Sequence, residues 1–355
     1  MSQKAFEFCG RFVGAGFPCI VVAEISCNHQ QNMNIALKMI EVAKAAGADA
    51  VKFQAYTPDT LTLNPEKMAQ AQQANFRIEG SIWSGRSFYD LYQEAHTPWE
   101  WFPALKEKAM AEGLLFFVTP FDESSVEFLE NLGVEAYKVA SFEINHIPML
   151  QKIAGLGKPV AISTGVAEES DIELALSTLR VGGCNDIMLL KCTSSYPATI
   201  EDANLATIPF MRERFATQVG LSDHSISPNI PAYAVALGAS MVEKHFTLEK
   251  KGPDAQFSLL PEEFSLMVRN IRECEKAMGK ADLQVSHKAV EHKMFMRSIW
   301  ACKNIKAGEK FSCENVKVLR PGNHLHPKFY NSILGGIAVR DIEFGEAIAL
   351  DMVQK

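Results

Sequence analysis

Along roughly the first 280 residues, short apolar runs rich in β-branched residues alternate with longer segments in which apolar positions recur every three or four residues. Eight runs predict strands, at 20–25, 50–54, 115–119, 136–139, 160–163, 187–190, 219–221 and 241–245. Segments 35–46, 99–111, 124–132, 172–179 and 231–237 predict helices between them. Eight strand–helix repeats at this length predict an α/β fold of the (β/α)8 TIM-barrel type. A doubly wound open sheet is the alternative, but no G-x-G-x-x-G loop follows the first strand.

Local signals refine this outline. Thr97-Pro98-Trp99-Glu100 reads as a capping box with proline at the first helical position. Segment 56–96 is too long for an ordinary strand-to-helix loop and is rich in Gln, Asn and aromatics. On a barrel such an insertion lies over the active face. After Lys280 the pattern changes: 281–294 is polar and reads as a linker, and short strands with glycine turns follow at 297–301, 316–319 and 336–339. Lys303-Asn304-Ile305-Lys306-Ala307-Gly308-Glu309 echoes Arg340-Asp341-Ile342-Glu343-Phe344-Gly345-Glu346. Two such hairpin units predict a small all-β module. The expected organisation is a barrel over 1–280, a linker over 281–294 and a β-domain over 295–355.

Composition narrows the function classes. Charged residues make up 22% of the 355 and hydrophobic residues 47%, so the chain is an ordinary globular one rather than disordered or coiled-coil. A net charge of −7 argues against nucleic acid as a partner. No apolar run reaches the roughly 18–20 residues of a membrane span. The N-terminus lacks the apolar stretch of a signal peptide. The 8 cysteines are scattered without a C-x-x-C pair, which predicts free thiols in a reducing cytoplasm.

In a barrel the C-terminal ends of the strands converge on one mouth, and here those ends are polar. They offer Glu24, Asn28 and His29; Lys52 and Gln54; Thr119; Lys138, Ser141 and Glu143; Ser163; Lys191, Ser194 and Tyr196; Ser222, Asp223 and His224; and Glu243, Lys244 and His245. A single strand-end serine is usually no more than a polar exit from the core. The set is harder to dismiss, because Lys52, Lys138, Glu243 and His245 sit in or beside apolar strands, where an unpaired charge is costly. Two lysines with several hydroxyls fit a small polyanion such as a phosphate or carboxylate. His224 and His245 follow adjacent strands and form half of a divalent metal site. Lys138 on a barrel strand also fits a Schiff-base aldolase.

As a set, these residues resemble the sialic acid synthase family. The resemblance rests on Val22-Ala23-Glu24-Ile25-Ser26-Cys27-Asn28-His29, Lys52-Phe53-Gln54, Tyr137-Lys138-Val139-Ala140-Ser141-Phe142-Glu143, Gly220-Leu221-Ser222-Asp223-His224 and Glu243-Lys244-His245-Phe246-Thr247. Arg297-Ser298 and Arg320-Pro321-Gly322 resemble the family's antifreeze-like (SAF, β-clip) domain. Segments 80–86 and 91–101, Lys191 to Pro197 and Leu325-His326-Pro327 resemble one branch, the pseudaminic acid synthases. That branch condenses phosphoenolpyruvate with 2,4-diacetamido-2,4,6-trideoxy-β-L-altropyranose and water, giving pseudaminic acid and phosphate. N-acetylneuraminate and legionaminic acid synthesis are the alternatives within the family.

The resemblance implies further roles. Lys52, Lys138, Thr119, Ser141, Ser163 and Ser222 would hold the enol phosphate. Mn²⁺ or Mg²⁺ would sit on His224 and His245. Glu24 would contact the sugar hydroxyls and move protons, with Glu143 as the rival, and Gln54, Ser194, Tyr196 and Asp254 would border the acceptor. Arg320 would reach the site of a partner chain in a domain-swapped homodimer. Phe76, Trp83, Phe88 and Tyr89 in the insertion are candidates for an apolar wall against the 6-deoxy carbon. One departure stands out: the family's Asn-His-Asn-Gly turn is Asn28-His29-Gln30-Gln31 here, with a side chain where the family has glycine.

Overall fold

The computed structural model describes residues 4–355, and its contacts divide the chain into two units, Met1–Gly279 and Lys280–Lys355. In the first, β3 (Ile20–Glu24), β4 (Ala50–Ala55), β5 (Leu115–Pro120), β6 (Tyr137–Val139), β7 (Val160–Ser163), β8 (Ile187–Cys192), β9 (Gln218–Asp223) and β10 (Met241–His245) close into a barrel in which every pairing is parallel. All eight expected strands are therefore present, with helices between them. Both strand faces are covered, which is why the strands read as nearly continuous apolar runs.

Side-chain alternation sorts each strand into two faces. Val21, Ala23, Val51, Phe53, Val118, Val139, Ile162, Leu189, Val219 and Val242 pack outward against the helices in the larger core. Ile20, Val22, Ala50, Phe117, Ala136, Ala161, Met188, Leu190 and Met241 pack inside the lower barrel. Continuing upward at the same parity, the inward face becomes Glu24, Lys52, Thr119, Lys138, Ser163, Cys192, Ser222, Glu243 and His245.

The periodicity of the chain did not foretell what closes the barrel below. β1 (Phe6–Phe8) and β2 (Arg11–Val13) form an antiparallel hairpin. Its two-residue turn, Cys9 and Gly10, has φ of 49° and 78°, the positive values of a primed hairpin turn. Phe6, Phe8, Cys9 and Val13 join the inner core, and the Phe8 ring meets Phe117 edge-on at 5.2 Å. Arg11 ties the hairpin to Asp49 at 2.6 Å.

One local expectation is corrected. Thr97 caps no helix: its buried hydroxyl lies 3.0 Å from His29 Nε2, and the chain enters the helix Phe102–Ala111 through a 3₁₀ turn, Trp99–Trp101. The turn after β3 places two glutamines in the left-handed region that favours glycine. Gln30 and Gln31 adopt φ of 53° and 52°, and the Gln31 amide donates to the carbonyls of Glu94 and His96.

The second unit is a small β-domain. β11 (Ser298–Ala301) pairs with β12 (Val316–Leu319), and β13 (Ile337–Ala338) pairs with β14 (Val353–Gln354). The internal echo is structural: Ile305 and Ile342 face each other across an antiparallel bridge, and Gly308 and Gly345 share a φ of 84°. Ile299, Ile305, Phe311, Val316, Ile342 and Ile348 fill its core. Within the polar stretch before it lies a short helix, His287–Glu291, capped by Ser286.

Candidate active site

Strand register assembles the floor of the site. Pairing sets Glu24 beside Lys52 on one side and His245 on the other, and sets Glu243 beside Ser222. Lys52 Nζ donates to Thr119 Oγ1 at 2.8 Å and forms an ion pair with Glu24 Oε2 at 2.8 Å. Glu243 lies between the two lysines, its Oε1 3.8 Å from Lys52 Nζ and 3.9 Å from Lys138 Nζ, and it accepts from Ser222 Oγ at 3.2 Å. Gln54 donates to Glu24 Oε1 at 2.7 Å and to Ser26 Oγ at 3.1 Å. Ser141 Oγ accepts from the Val166 N–H at 3.0 Å, while the buried Ser163 hydroxyl has no partner among the described residues.

These groups face a cavity of about 550 Å³. Glu143, Tyr196, His224 and Asp254 reach it from the loops above the strands. Segment 56–96 lies over the mouth and contributes Tyr56, Leu61, Ile78, Trp83, Phe88 and Tyr92. Of the aromatics expected in this wall, Trp83 and Phe88 line the cavity; Phe76 and Tyr89 do not.

Four carboxyls (Glu24, Glu143, Glu243, Asp254) face two ammonium groups (Lys52, Lys138) here, an acid excess that looks unsuited to an anion. Burial tempers this. It raises the proton affinity of Glu24 and Asp254, and it pushes Glu143 up to about 7. Burial pushes Glu243 up as well, but Lys138 and Lys52 together outweigh it, so this carboxyl ends below its usual range. Desolvation lowers Lys138; it also acts on Lys52, where Glu24 and Glu243 overcome it and raise the ammonium.

The two histidines sit with ring centroids 5.3 Å apart. His224 Nδ1–H donates to the Thr193 carbonyl at 2.9 Å; burial lowers the proton affinity of this ring, but Cys192 and Thr193 outweigh it and raise it above the usual imidazole value. His245 Nδ1 is buried without a hydrogen-bond partner, 3.8 Å from Asp254 Oδ2, and desolvation lowers its proton affinity well below the usual imidazole value. Two imidazoles this close supply two nitrogen ligands of the kind a divalent cation takes. Among the described residues no group of three or more His, Cys, Asp or Glu forms a ready-made cluster.

Several strand-end residues do not converge. Asp223 and Lys244 have outward parity and pair with each other at 2.7 Å, away from the cavity. Lys191 Nζ turns to Thr193 Oγ1 at 2.6 Å and to the Asp202 carbonyl. Ser194 lies behind the lining, its Oγ 3.8 Å from Cys192 Sγ. Asn28 is held by the Phe246 carbonyl and Ser258, and His29 by Thr97. Arg320 belongs to the second unit, exposed at the end of β12, and its side chain makes no hydrogen bond or ion pair among the described residues. Sequence reasoning noted Glu243 as a buried charge but assigned it no role. Its signal was its position two residues before His245 on the same strand face.

A closed parallel barrel whose strand ends carry lysines, hydroxyls and paired histidines around one cavity places this chain among the TIM-barrel proteins. Residues 39–283 match the NeuB family and residues 296–354 the SAF domain, and the chain belongs to the NeuB family, the sialic acid synthase-like proteins. It is 46% identical to the pseudaminic acid synthase of Campylobacter jejuni subsp. jejuni (strain 81-176), over 92% of this chain and 94% of that protein. It is 36% identical to the N,N'-diacetyllegionaminic acid synthase of another strain of that organism, over 93% of this chain and 98% of that protein. Among solved structures, the N-acetylneuraminic acid synthetase of Leptospira borgpetersenii is similar with a TM-score of 0.71 and 32% identity, over 82% of this chain and 95% of that one.

Proposed function

We propose that this protein condenses phosphoenolpyruvate with 2,4-diacetamido-2,4,6-trideoxy-β-L-altropyranose, in its open-chain form, and water to give pseudaminic acid and phosphate. The coarser part, a phosphoenolpyruvate-dependent transferase that builds a nine-carbon keto acid, is supported by family membership. The finer part is supported by the higher identity to a pseudaminic acid synthase than to a legionaminic acid synthase. The observation that carries the chemistry is the convergence of Lys52, Lys138, Thr119, Ser163 and Ser222 on one cavity with buried, protonatable carboxyls.

In this reading the lysines and hydroxyls hold the enol phosphate and carboxylate of the donor. C3 of the donor bonds to the acceptor's aldehyde carbon. Water then adds to donor C2, and loss of phosphate leaves the 2-keto acid. Glu24 is tied to Lys52 and Gln54 and serves to position; Glu143, titrating near 7 with a buried unpartnered Oε2, suits the proton transfers. A divalent cation such as Mn²⁺ or Mg²⁺, held by His224 and His245, supplies Lewis-acid polarisation of a carbonyl oxygen when bound. Asp254 and Tyr196 border the acceptor. Arg320 completes the site from a second copy in a swapped dimer. Eight free cysteines accord with a cytoplasmic setting, and no described helix is long and apolar enough to cross a membrane.

Phosphate release from phosphoenolpyruvate with a panel of acetamido sugars tests this. Release dependent on the diacetamido trideoxy sugar is expected; equal kcat/KM for N-acetylmannosamine overturns the branch assignment. The lowered proton affinity of Lys138 favours one second reading, a Schiff-base aldolase. Borohydride trapping of a pyruvate adduct on Lys138 would establish it, and the condensing mechanism forms none. For Arg320, an Arg320→Ala chain paired with a Lys138→Met chain regains activity if the module is exchanged, since one mouth then carries neither defect. Inactive verified heterodimers exclude the exchange.

A further inference from the structure

The cavity has two chemically different halves. Its floor is strand-borne and charged. Its outer wall comes from segment 56–96: beside the hydroxyl-bearing Tyr56, Ser81 and Tyr92 it presents an apolar face of Leu61, Ile78, Trp83, Phe88 and Leu91. None of these five can donate or accept a hydrogen bond from its side chain except Trp83, and that donor is already used. The Trp83 Nε1–H donates to the Pro253 carbonyl at 3.2 Å, in the loop that carries Asp254. The indole thus presents only its apolar body inward.

The wall is fixed rather than loose. Residues 78–86 form a hairpin-like turn, with Ile78 N–H donating to the Arg86 carbonyl at 2.9 Å and Gly85 N–H to the Ile78 carbonyl at 3.0 Å. An antiparallel bridge joins Arg77 to Ser87 just outside it. Trp83 packs at 5.5 Å from the Tyr196 ring and 6.4 Å from Phe257. Phe88 stacks on Tyr92 at 6.1 Å, and Tyr92 leans on Tyr56 at 5.7 Å. An apolar surface held this firmly cannot turn to satisfy a hydroxyl placed against it, and an unpaired polar group there is penalised.

We propose that Trp83 and Ile78, from the same turn of the cavity wall, set acceptor specificity by contacting the deoxygenated carbon of the sugar and rejecting acceptors that carry a hydroxyl there. The inference rests on the proposed synthase reading and adds to it the residues that read the 6-position. An apolar pocket discriminates against an added hydroxyl by only about 10²-fold, so selectivity is graded rather than absolute.

The test is kcat/KM for a matched pair, 2,4-diacetamido-2,4,6-trideoxy-altrose and its 6-hydroxylated counterpart, with phosphoenolpyruvate saturating. The wild-type chain should prefer the deoxy sugar by about 100-fold. Trp83→Ala should narrow the preference about tenfold, and Ile78→Thr, which places a hydroxyl in the wall, should narrow it similarly. Trp83→Phe keeps an apolar ring and should keep the ratio. The KM for phosphoenolpyruvate should stay within about twofold throughout, because the donor sits on the floor. If Trp83→Ala does not fold, Ile78→Thr carries the test. Unchanged ratios in every folded variant overturn the proposal, as does a wild type active on both sugars alike, which leaves the synthase reading standing. A wild type inactive on both sugars removes the synthase reading and this inference together.

Discussion

The two ends of the barrel are made by the same eight strands at the same inward parity, yet they hold opposite chemistry. Below, Ile20, Val22, Phe117, Met188 and Met241 meet the hairpin residues Phe6 and Phe8 in a dry core. Above, a few residues along the same strands, Glu24, Lys52, Lys138, Glu243 and His245 are also buried but charged or polar. The lower end gains stability from apolar burial at about 25 cal/mol per Å². The upper end opposes it, since desolvated charges are stabilising only where geometry compensates, and here the lysine contacts to Glu243 are long. The difference teaches where substitutions should act: below on stability, above on turnover.

The largest expected effect breaks the lower end. Phe8→Ala removes a fully buried ring and should cost about 3–5 kcal/mol in denaturant unfolding, with kcat and KM of the folded enzyme unchanged. A large change in kinetics at unchanged stability would reverse the assignment of the two ends. Next comes the upper end. Lys138→Met should lower kcat/KM for phosphoenolpyruvate by the equivalent of about 2–5 kcal/mol while leaving the melting temperature nearly constant, because a poorly paired buried charge gives way to an apolar chain. Normal saturation by phosphoenolpyruvate in that variant would make Lys138 structural.

A smaller effect follows from Glu143. Its folded pKa, about 7, lies above the ordinary value of 4.5. A raised carboxyl favours the fold fully below pH 4.5 and loses that contribution as pH climbs through 7. Glu143→Gln should therefore gain stability relative to wild type between about pH 5 and 8, by up to about 3 kcal/mol, at about 1.4 kcal/mol per tenfold change in proton affinity. Parallel melting curves across that range would show that the carboxyl titrates at its ordinary value. The smallest effect concerns the turn after β3. Gln31→Gly relieves a left-handed residue worth about 1–2 kcal/mol but loses the amide tether to Glu94 and His96, each bond worth about 0.5–1.5 kcal/mol. The two nearly cancel, so melting should shift little; a drop of several degrees would show that the tether outweighs the backbone strain.

The order of strands and helices, the barrel and the β-domain could be read from the chain alone, because apolar periodicity is a local property and each strand is long enough to show it. The charged floor was legible for the same reason. Lys52, Lys138, Glu243 and His245 interrupt apolar runs, and an interrupted run is visible without any partner. Parity along the strands also separates Lys244 and Asp223 from Glu243 and His245, although strand-end proximity obscures it. What only the tertiary structure decided depends on partners distant in sequence. The N-terminal hairpin became the barrel's floor because its few apolar residues face a core supplied by the barrel strands. Thr97 left its helix because His29, far away in sequence, offered a buried partner. Trp83 was distinguished from Phe76 and Tyr89 by how the insertion folds back over the barrel: Trp83 lies in the turn 78–86, Phe76 in a 3₁₀ turn (Ala74–Phe76) and Tyr89 on a helix (Phe88–Ala95), and only their packing on the barrel decides which ring faces the cavity. The proton affinities of Glu24, Glu143 and Glu243 diverge because burial and lysine distances differ among them, and both quantities exist only once the strands are in register.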